Sequence, residues 1–395
     1  MLSEKSAITV RATLPAVAGA VDEITTVFYR RLFAAHPELL RDLFNRGNQA
    51  NGTQARALAG SIAVFSTALL DRPDERPDTM LTRIAHKHAS LGITRDQYAI
   101  VHTHLFAAIV EVLGEAATEE VAAAWDEVYW LMANALVAIE SRLYSEAGVD
   151  AGDTWREHRV VGLLRETDDV TTFILRPTDG EPVAVSRPGQ YVSVQVALPD
   201  GAHQIRQYSV STQRPDTLRF SLKRVTGTPN GEVSVHLHDR VRLGDMLRVS
   251  RPFGDVILDE GDRPVLLASA GIGATPMIDM LGHLAAVDSP RRVLAVHADR
   301  TPHSHPLRAD LEQLVAKLPD AQAAVWYERP EQPWPTERTG LVDLAGLDVP
   351  ADTVAYLCGP VGFMRSVRAQ LLERGVPAAD IHYEVFGPDL GLDEG

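Results

Sequence analysis

Residues 83–93 read RIAHKHASLGI and carry two histidines, His86 and His88, in a segment whose apolar residues have helical spacing. Side chains two positions apart on a helix point about 200° away from each other, so these histidines are not expected to share one metal ion. Leu81, Ile84 and His88 follow the i, i+3, i+7 spacing of one helix face, which predicts that His88 faces inward. Taken alone, an inward histidine is either a hydrogen-bonded core residue or a ligand of a larger group.

The composition limits the class of protein. The 395 residues are 45% hydrophobic and 23% charged, as in an ordinary globular protein, and the length predicts two to three domains. A net charge of −15 argues against nucleic acid as a partner, because phosphate binding depends on Lys and Arg. The single cysteine, Cys358, excludes an internal disulfide and any metal site that needs several cysteines. We therefore expect small-molecule partners. A monomer is a separate expectation, and the sequence leaves the oligomeric state open.

The sequence also bears on location. Its beginning, MLSEKSAITV, lacks a basic flank followed by an apolar core, so we expect no secretory signal. No apolar run approaches the roughly 18–20 residues that span a bilayer. These features predict a cytoplasmic protein without stable membrane insertion.

The chain changes character twice. Residues 1–150 hold only four of the 24 prolines and seven of the 28 glycines, and their apolar residues recur every three to four positions, which predicts an all-helical domain over 1–147. The period then drops to two, which predicts a small antiparallel β-barrel over 155–258. Strand and helix patterns alternate over 262–395, which predicts a doubly wound parallel sheet.

The helical segment resembles a known family. It has one inward histidine late in its middle, LFNRGNQANGTQARAL upstream and DQYAIV downstream. In these features it is similar to a globin, and more closely to the globin part of the flavohaemoglobins. The downstream motifs occur in that family's order, so the resemblance covers almost the whole chain. It implies a globin domain, an FAD-binding barrel and an NAD(P)-binding domain of the ferredoxin-reductase type.

On one side of the haem, the resemblance implies that His88 binds the iron of haem b. The family places a Tyr and a Glu at the other ring nitrogen, and the matching residues here are Tyr98 and Glu140. A carboxylate at that nitrogen makes the iron more electron-rich, which suits oxygen activation.

On the opposite side, the matching residues are Tyr29, Phe44, Gln54 and Leu58. The resemblance implies that Tyr29 and Gln54 donate hydrogen bonds to the bound dioxygen. Phe44 would contact the macrocycle, and Leu58 would restrict the pocket.

Two strand motifs, RPGQYVSV at 187–194 and RQYSVST at 206–212, resemble the flavin-binding part of that family. The resemblance implies that Tyr208 packs on the isoalloxazine, that Arg206 neutralises the pyrophosphate, and that Ser209 bonds near the ring nitrogen that receives hydride. The expected FAD-binding set is completed by residues of the same two motifs and of a predicted helix start: Tyr191, Gln207, Gly231, Val233 and Ser234.

Two strand-to-helix turns, in LLASAGIGATPM and YLCGPVGFM, are expected at the carboxyl edge of the parallel sheet, where ligands bind. Glycine lets the backbone approach a dinucleotide phosphate, and the helix start favours its charge. The residues expected to bind the nicotinamide cofactor are Gly271, Ile272, Gly273, Ala274, Thr275, Pro276, Cys358, Gly359 and Pro360.

The final segment, IHYEVFGP, matches a part of the family that returns to the flavin. The resemblance implies that Phe386 covers the ring and that Glu384 lies near the path to the haem. Lys87, next to His88, is either a contact of Glu384 or a solvated surface residue. At Val385 the family often has Cys. The other cofactor-binding residues expected here are Gly387 and Pro388.

The resemblance implies nitric oxide dioxygenase activity, with nitric oxide and O2 as substrates and electrons passing from NADH or NADPH through FAD to haem. One alternative is a haem-linked reductase of lipid hydroperoxides or ferric chelates, which an open, apolar distal pocket would favour. Another is an oxygen or redox sensor whose reductase only resets it. Arg300 could contact the 2′-phosphate of NADPH or lie on the surface, so the choice between NADH and NADPH stays open.

Overall fold

The computed structural model describes residues 2–72, 77–227 and 230–387, which divide into two compact units. The first holds the residues up to Trp155 together with Gln195–Arg206. The second holds Arg156–Val194 and Gln207–Gly387. The three predicted domain ranges stay predictions.

The first unit is helical, as predicted. Its helices are α1 (Glu4–Ala35), α2 (Pro37–Asp42), α3 (Arg46–Ala50), α4 (Thr53–Asp71), α5 (Asp78–Leu91), α6 (Arg95–Leu113) and α7 (Glu119–Glu146). Helix α1 continues through Pro15 because its buried residues Val10, Val17 and Ile24 recur every seven positions, so one apolar stripe runs past the proline.

One segment departs from the sequence expectation about membranes. Arg95–Ala116, which is α6 and the short turn after it, is long and apolar enough by length and composition to cross a bilayer. This helix packs against α1, and its buried residues include Leu105 and Ala108. Only 17% of its apolar window is buried in the described structure, so packing in the helical bundle covers a minor part of its apolar surface.

The middle of the chain forms a closed six-stranded barrel in the order β1-β2-β5-β4-β3-β6, as predicted. Its strands are β1 (Trp155–Arg165), β2 (Val170–Pro177), β3 (Tyr191–Ala197), β4 (His203–Arg214), β5 (Thr217–Lys223) and β6 (Met246–Ser250), with helix α8 (Glu232–Arg240) before β6. The predicted strand MLRVSRPFGDVIL is shorter than its pattern suggested. It ends at Ser250, because Pro252 has no N–H to donate and Gly254 has a φ of +133°.

The last part is a five-stranded parallel sheet in the order β11-β10-β7-β8-β9, which confirms the predicted doubly wound fold. Its elements are β7 (Val265–Ala270), α9 (Ala274–Ala286), β8 (Val293–Asp299), α10 (Arg308–Val315), β9 (Ala321–Tyr327), β10 (Val354–Cys358), α11 (Val361–Glu373) and β11 (Ile381–Glu384). One face packs against α9 and α10 and the other against α11, so the strands are buried on both sides.

Candidate functional site

His88 lies in the last turn of α5, and the end of that helix fixes its position. Gly92 caps the helix with a φ of +78°, and the Ile93 N–H donates to the His88 carbonyl at 3.1 Å. A Cβ at Gly92 would lie 2.9 Å from the Gly152 carbonyl oxygen. Glycine is therefore needed here both for the turn and for the close approach of residue 152.

The inward face of α5 brings His88 to two buried side chains from other helices. His88 Nδ1 lies 2.9 Å from the Tyr98 hydroxyl of α6 and 2.9 Å from Glu140 Oε1 of α7. The Tyr98 hydroxyl donates to the same Glu140 oxygen at 2.5 Å. The three residues that the resemblance singled out on this side thus form one hydrogen-bonded cluster, which we call the proximal triad.

The triad fixes which nitrogen of His88 is available. Burial and the negative charge of Glu140 raise the pKa of Tyr98 well above its usual value, so Tyr98 remains a hydrogen-bond donor. A carboxylate only accepts hydrogen bonds, so the proton between Glu140 and His88 lies on Nδ1. Among the described residues no hydrogen bond reaches Nε2, and the side chain is 32% exposed. A neutral imidazole with a bare Nε2 is the donor that haem iron requires, so this site fits a haem.

The expected distal residues also come together. The Gln49 and Gln54 side chains lie close enough to the Tyr29 hydroxyl to lower its pKa, but burial outweighs them and raises the pKa to about 12. Its ring packs edge-on against Phe44 at 5.9 Å between centroids. Leu58 lies one turn after Gln54 on α4 and is half-buried. We call Tyr29, Phe44, Gln49, Gln54 and Leu58 the distal cluster.

Sequence reasoning missed Gln49. Its Nε2 is buried and has no hydrogen-bond partner among the described residues. A buried amide N–H without a partner is costly unless a ligand or water accepts from it, which fits a polar ligand in this pocket. Its only sequence signal is its place in NQANGTQ, five residues before Gln54.

The two flavin motifs lie on neighbouring strands of the barrel, as expected. Gln207 Nε2 on β4 donates to Ser193 Oγ on β3 at 3.0 Å. The Tyr208 ring stacks on Phe220 at 5.0 Å, and Ser209 is buried. Tyr191 exchanges backbone hydrogen bonds with Phe253. Tyr208 is therefore held flat against the barrel wall.

Next to these strands, Gly231 caps α8 and Val233 is buried in its first turn. The Ser234 hydroxyl donates to the Gly231 carbonyl at 3.2 Å and accepts from the Val225 N–H at 3.1 Å. The helix start predicted at NGEVS is thus confirmed, and Ser234 supports its own turn.

The two glycine turns of the parallel sheet touch each other, as expected from the sheet edge they share. A Cβ at Gly273 would collide with the Cys358 carbonyl and lie 2.9 Å from the Gly359 nitrogen. Gly271 has a φ of +52°, and a Cβ there would meet open space. Gly273 is therefore required for packing, whereas Gly271 leaves the backbone accessible to a ligand.

The remaining residues of this edge have different environments. Ile272 lies in the turn, and α9 begins with Ala274, Thr275 and Pro276, which are buried. Cys358 is fully buried at the end of β10, with Gly359 and Pro360 after it. Burial and nearby Glu384 raise the pKa of the Cys358 thiol, so it is not a nucleophile.

In the C-terminal segment, Glu384 ends β11 beside Cys358, Val385 packs on the sheet, and Phe386 is 50% exposed. Gly387 is the last described residue, and Pro388 lies outside the described range. The contact of Lys87 with Glu384 and the place of Phe386 over a flavin stay predictions.

Comparisons with known proteins agree with this geometry. A family profile described as Globin matches residues 26–136, and one described as Oxidoreductase NAD-binding domain matches residues 267–369. A curated protein named Flavohemoprotein from Bordetella parapertussis is 43% identical over 400 residues, which cover 98% of this chain and 99% of that protein.

Two solved structures are also similar. A flavohemoglobin from Malassezia yamatoensis with bound FAD and heme has a TM-score of 0.91 and 36% identity, covering 98% of this chain and 100% of that one. The flavohem-like FAD/NAD binding domain of a nitric oxide dioxygenase from Vibrio cholerae has a TM-score of 0.55 and 39% identity, covering 60% of this chain and 100% of that one. With a proximal triad, a barrel and a nucleotide-binding sheet in one chain, and with this likeness over its whole length, the protein belongs to the flavohemoprotein family.

Proposed function

We propose that this flavohemoprotein is a nitric oxide dioxygenase, which converts nitric oxide and dioxygen to nitrate with electrons from NADH or NADPH. The observation that carries the proposal is the proximal triad, in which a buried carboxylate and a tyrosine hydroxyl share the Nδ1 of His88. The name of the similar domain from Vibrio cholerae supports the same reaction.

We propose haem b, held by His88 Nε2, and FAD as the cofactors, as in the similar structure from Malassezia yamatoensis. When bound, the haem supplies an iron that binds dioxygen and changes by single electrons, and the flavin divides the hydride pair from the nicotinamide. Glu140 accepts a hydrogen bond from the Nδ1–H of His88, which orients the ring and makes Nε2 more basic. Tyr98 in turn fixes the carboxylate by donating to it.

The distal cluster would act on the oxygen ligand. The raised pKa of Tyr29 keeps its proton on the hydroxyl at neutral pH, so the hydroxyl can donate to an anionic ligand. The side chains of Gln49 and Gln54 add amide N–H groups beside it. Phe44 and Leu58 limit the space for larger substrates.

At the reductase end, we propose that Arg206, Tyr208 and Ser209 bind FAD together with the other predicted residues of the barrel. The turns around Gly271 and Gly359 would bind the nicotinamide dinucleotide. A guanidinium forms strong bidentate bonds with phosphate, and a glycine turn before a helix favours the same anion.

The geometry favours this reaction over the alternative of a lipid hydroperoxide or ferric chelate reductase. That function calls for an open, apolar distal pocket, whereas the distal cluster contains a tyrosine hydroxyl and two amides. We therefore propose nitric oxide and dioxygen as the substrates. We further propose that the protein works as a monomer in the cytoplasm.

Stopped-flow spectroscopy tests the proposal. The oxygenated ferrous protein mixed with nitric oxide should lose its oxy spectrum within the mixing time or shortly after, with one nitrate formed for each nitric oxide consumed. Gln54→Leu should slow this reaction, whereas Thr53→Ser at the neighbouring position should not. An oxy spectrum that persists with nitric oxide, or that decays without nitrate, would exclude the reaction.

A further inference from the structure

One fully buried glutamine outside the predicted site residues connects two distant segments of the first compact unit. Gln204, at the beginning of β4, has no exposed surface. Its Nε2 lies within hydrogen-bond distance of three backbone carbonyls, those of Leu40 at 3.2 Å, Arg41 at 3.0 Å and Phe44 at 3.2 Å. Its Oε1 accepts from the Arg46 N–H at 3.2 Å.

These four backbone groups lie where α2 ends and α3 begins, and short helices leave terminal groups without internal partners. A primary amide supplies both donors and an acceptor from one planar group. Lysine could only donate, and a glutamate carboxylate could only accept. The amide of Gln204 therefore supplies both the donors and the acceptor that the backbone groups of segment 40–46 need.

The segment that Gln204 holds also carries part of the distal cluster. The Phe44 ring packs against Phe33 at 5.4 Å and against Tyr29 at 5.9 Å between centroids. Gln204 donates a hydrogen bond to the Phe44 carbonyl. Displacing the Gln204 side chain would therefore free the backbone of Phe44 and with it the position of the Phe44 ring.

On its own strand, Gln204 lies two residues before the predicted pyrophosphate ligand. Arg206 Nη1 donates to the Ile205 carbonyl at 2.7 Å and lies 3.5 Å from Gln204 Oε1. One amide thus contacts the backbone behind Phe44 and the guanidinium that begins the RQYS motif.

We propose that Gln204 is a positioning residue that couples the distal haem pocket to the flavin-binding strand. It holds segment 40–46 on β4, so that the position of Phe44 relative to Arg206 stays fixed during electron transfer from flavin to haem. The proposal rests on the haem and FAD assignment made above and is independent of the reaction with nitric oxide.

The test uses the full-length protein with both cofactors and two variants. Gln204→Leu removes the donors and the acceptor, whereas Gln204→Glu keeps the size and the acceptor for Arg46 but loses the donors. Asp200→Asn is the matched control, because Asp200 is 53% exposed and accepts from the Arg46 side chain at 2.6 Å and from the Ala202 N–H at 3.1 Å, both of which an amide oxygen can still accept. If the Leu variant does not retain its cofactors, the Glu variant decides.

Three anaerobic measurements separate the outcomes. Carbon monoxide on the ferrous haem reports the distal pocket through its infrared stretch, and stopped flow gives the flavin-to-haem rate and the rate of hydride transfer from NADH to flavin. Both Gln204 variants should shift or broaden the carbon monoxide band and slow flavin-to-haem transfer about tenfold or more, with hydride transfer changed less than about twofold. The control should match the parent protein in all three.

Variants that keep the parent band and electron-transfer rate would overturn the proposal. Equal losses of hydride transfer and flavin-to-haem transfer would overturn it as well, because they would indicate a general defect of folding. None of these measurements requires nitric oxide, so they test the role of Gln204 even if the protein does not catalyse the dioxygenase reaction.

Discussion

Two buried carboxyl groups, Glu140 and Asp279, have opposite environments. Glu140 is 2% exposed and has two hydrogen-bonding neighbours, His88 and Tyr98. Asp279 on α9 is 9% exposed, and its carboxylate accepts from the Gly189 N–H at 3.0 Å in the loop before the flavin strand β3. Replacing either carboxyl with its amide removes the charge at nearly constant volume, so each substitution tests the role of the charge alone.

For Glu140→Gln, we expect a weaker iron–histidine bond and a higher haem potential, because the neutral amide oxygen is a weaker hydrogen-bond acceptor for Nδ1–H than a carboxylate. Turnover with nitric oxide should fall by roughly 10–100-fold. Resonance Raman of the ferrous protein should show a lower iron–histidine stretching frequency. Glu146→Gln, on the same helix with a side chain that is 64% exposed, is the control and should leave this frequency unchanged. An unchanged frequency in Glu140→Gln would contradict the role of the triad.

For Asp279→Asn, we expect a stability gain that depends on pH. Burial raises the pKa of Asp279 from 3.8 to about 7, more than the Gly189 hydrogen bond lowers it. The folded state therefore keeps this proton to higher pH than the unfolded chain, so the parent loses stability between about pH 4 and pH 7. The asparagine still accepts from Gly189 and should be more stable above pH 7 by roughly 2–4 kcal/mol, with the gain shrinking towards pH 4.

Calorimetric midpoints between pH 5 and pH 8.5 measure this gain. Asp288→Asn, an exposed change of the same charge just after α9, should show no such dependence. A gain in Asp279→Asn that is equal at both ends of the range, or a loss at pH 8.5, would contradict the burial argument.

Among the elements, the contact of the two glycine turns shapes the edge of the parallel sheet. The turn between β7 and α9 packs on the turn between β10 and α11 through Gly273, whose missing side chain leaves room for the backbone of Cys358. This contact joins the two turns that are predicted to bind the nicotinamide cofactor, so it fixes the distance between them.

Gly273→Ala should separate the two turns. The added methyl group overlaps the Cys358 backbone, which should cost about 1–3 kcal/mol and raise the KM for NADH about tenfold or more. Gly282→Ala in α9, the helix that follows this turn, meets nothing within 4 Å and should stabilise the protein by about 0.5–1 kcal/mol with KM unchanged. Steady-state reduction of an artificial acceptor gives both KM values, and equal behaviour of the two variants would refute the packing argument.

The elements and the residues differ in how far the sequence predicts them. Helices such as α5 and α7 and strands such as β7 were predictable because their periodicity is local and their burial strong. The proximal triad was identified only through the family resemblance, because Glu140 lies 52 positions from His88. Gln204, Gln49 and Asp279 were missed. Their neighbours come from distant segments, and nothing local distinguishes a buried amide or acid from an exposed one.

In the second compact unit, an ion pair joins the barrel to the parallel sheet domain. Arg219 of β5 donates to both oxygens of Asp310 on α10, at 3.0 and 2.7 Å. The two side chains are 16% and 30% exposed. The paired geometry and partial burial favour a stronger contribution than a surface pair gives.

Asp310→Ala should therefore lower the free energy of unfolding by about 2–3 kcal/mol, because Arg219 would keep its charge without its main partner. The double variant Arg219→Met with Asp310→Leu should recover most of the loss. Asp216→Ala, which breaks the exposed pair with Arg176, should cost less than about 0.5 kcal/mol. Calorimetry compares the three, and equal losses for Asp310→Ala and Asp216→Ala would show that the pair acts as a surface contact.

The central claim is that His88 holds a haem that the C-terminal modules reduce through a flavin, and one absorption experiment tests it most directly. The purified protein should show a Soret band and flavin absorption. Under nitrogen, added NADH or NADPH should bleach the flavin and then convert the haem to its ferrous form. His88→Ala should lose the Soret band of the parent, whereas His86→Ala should keep it. A preparation without a Soret band, or a His88→Ala protein whose haem spectrum and reduction match the parent, would contradict the account.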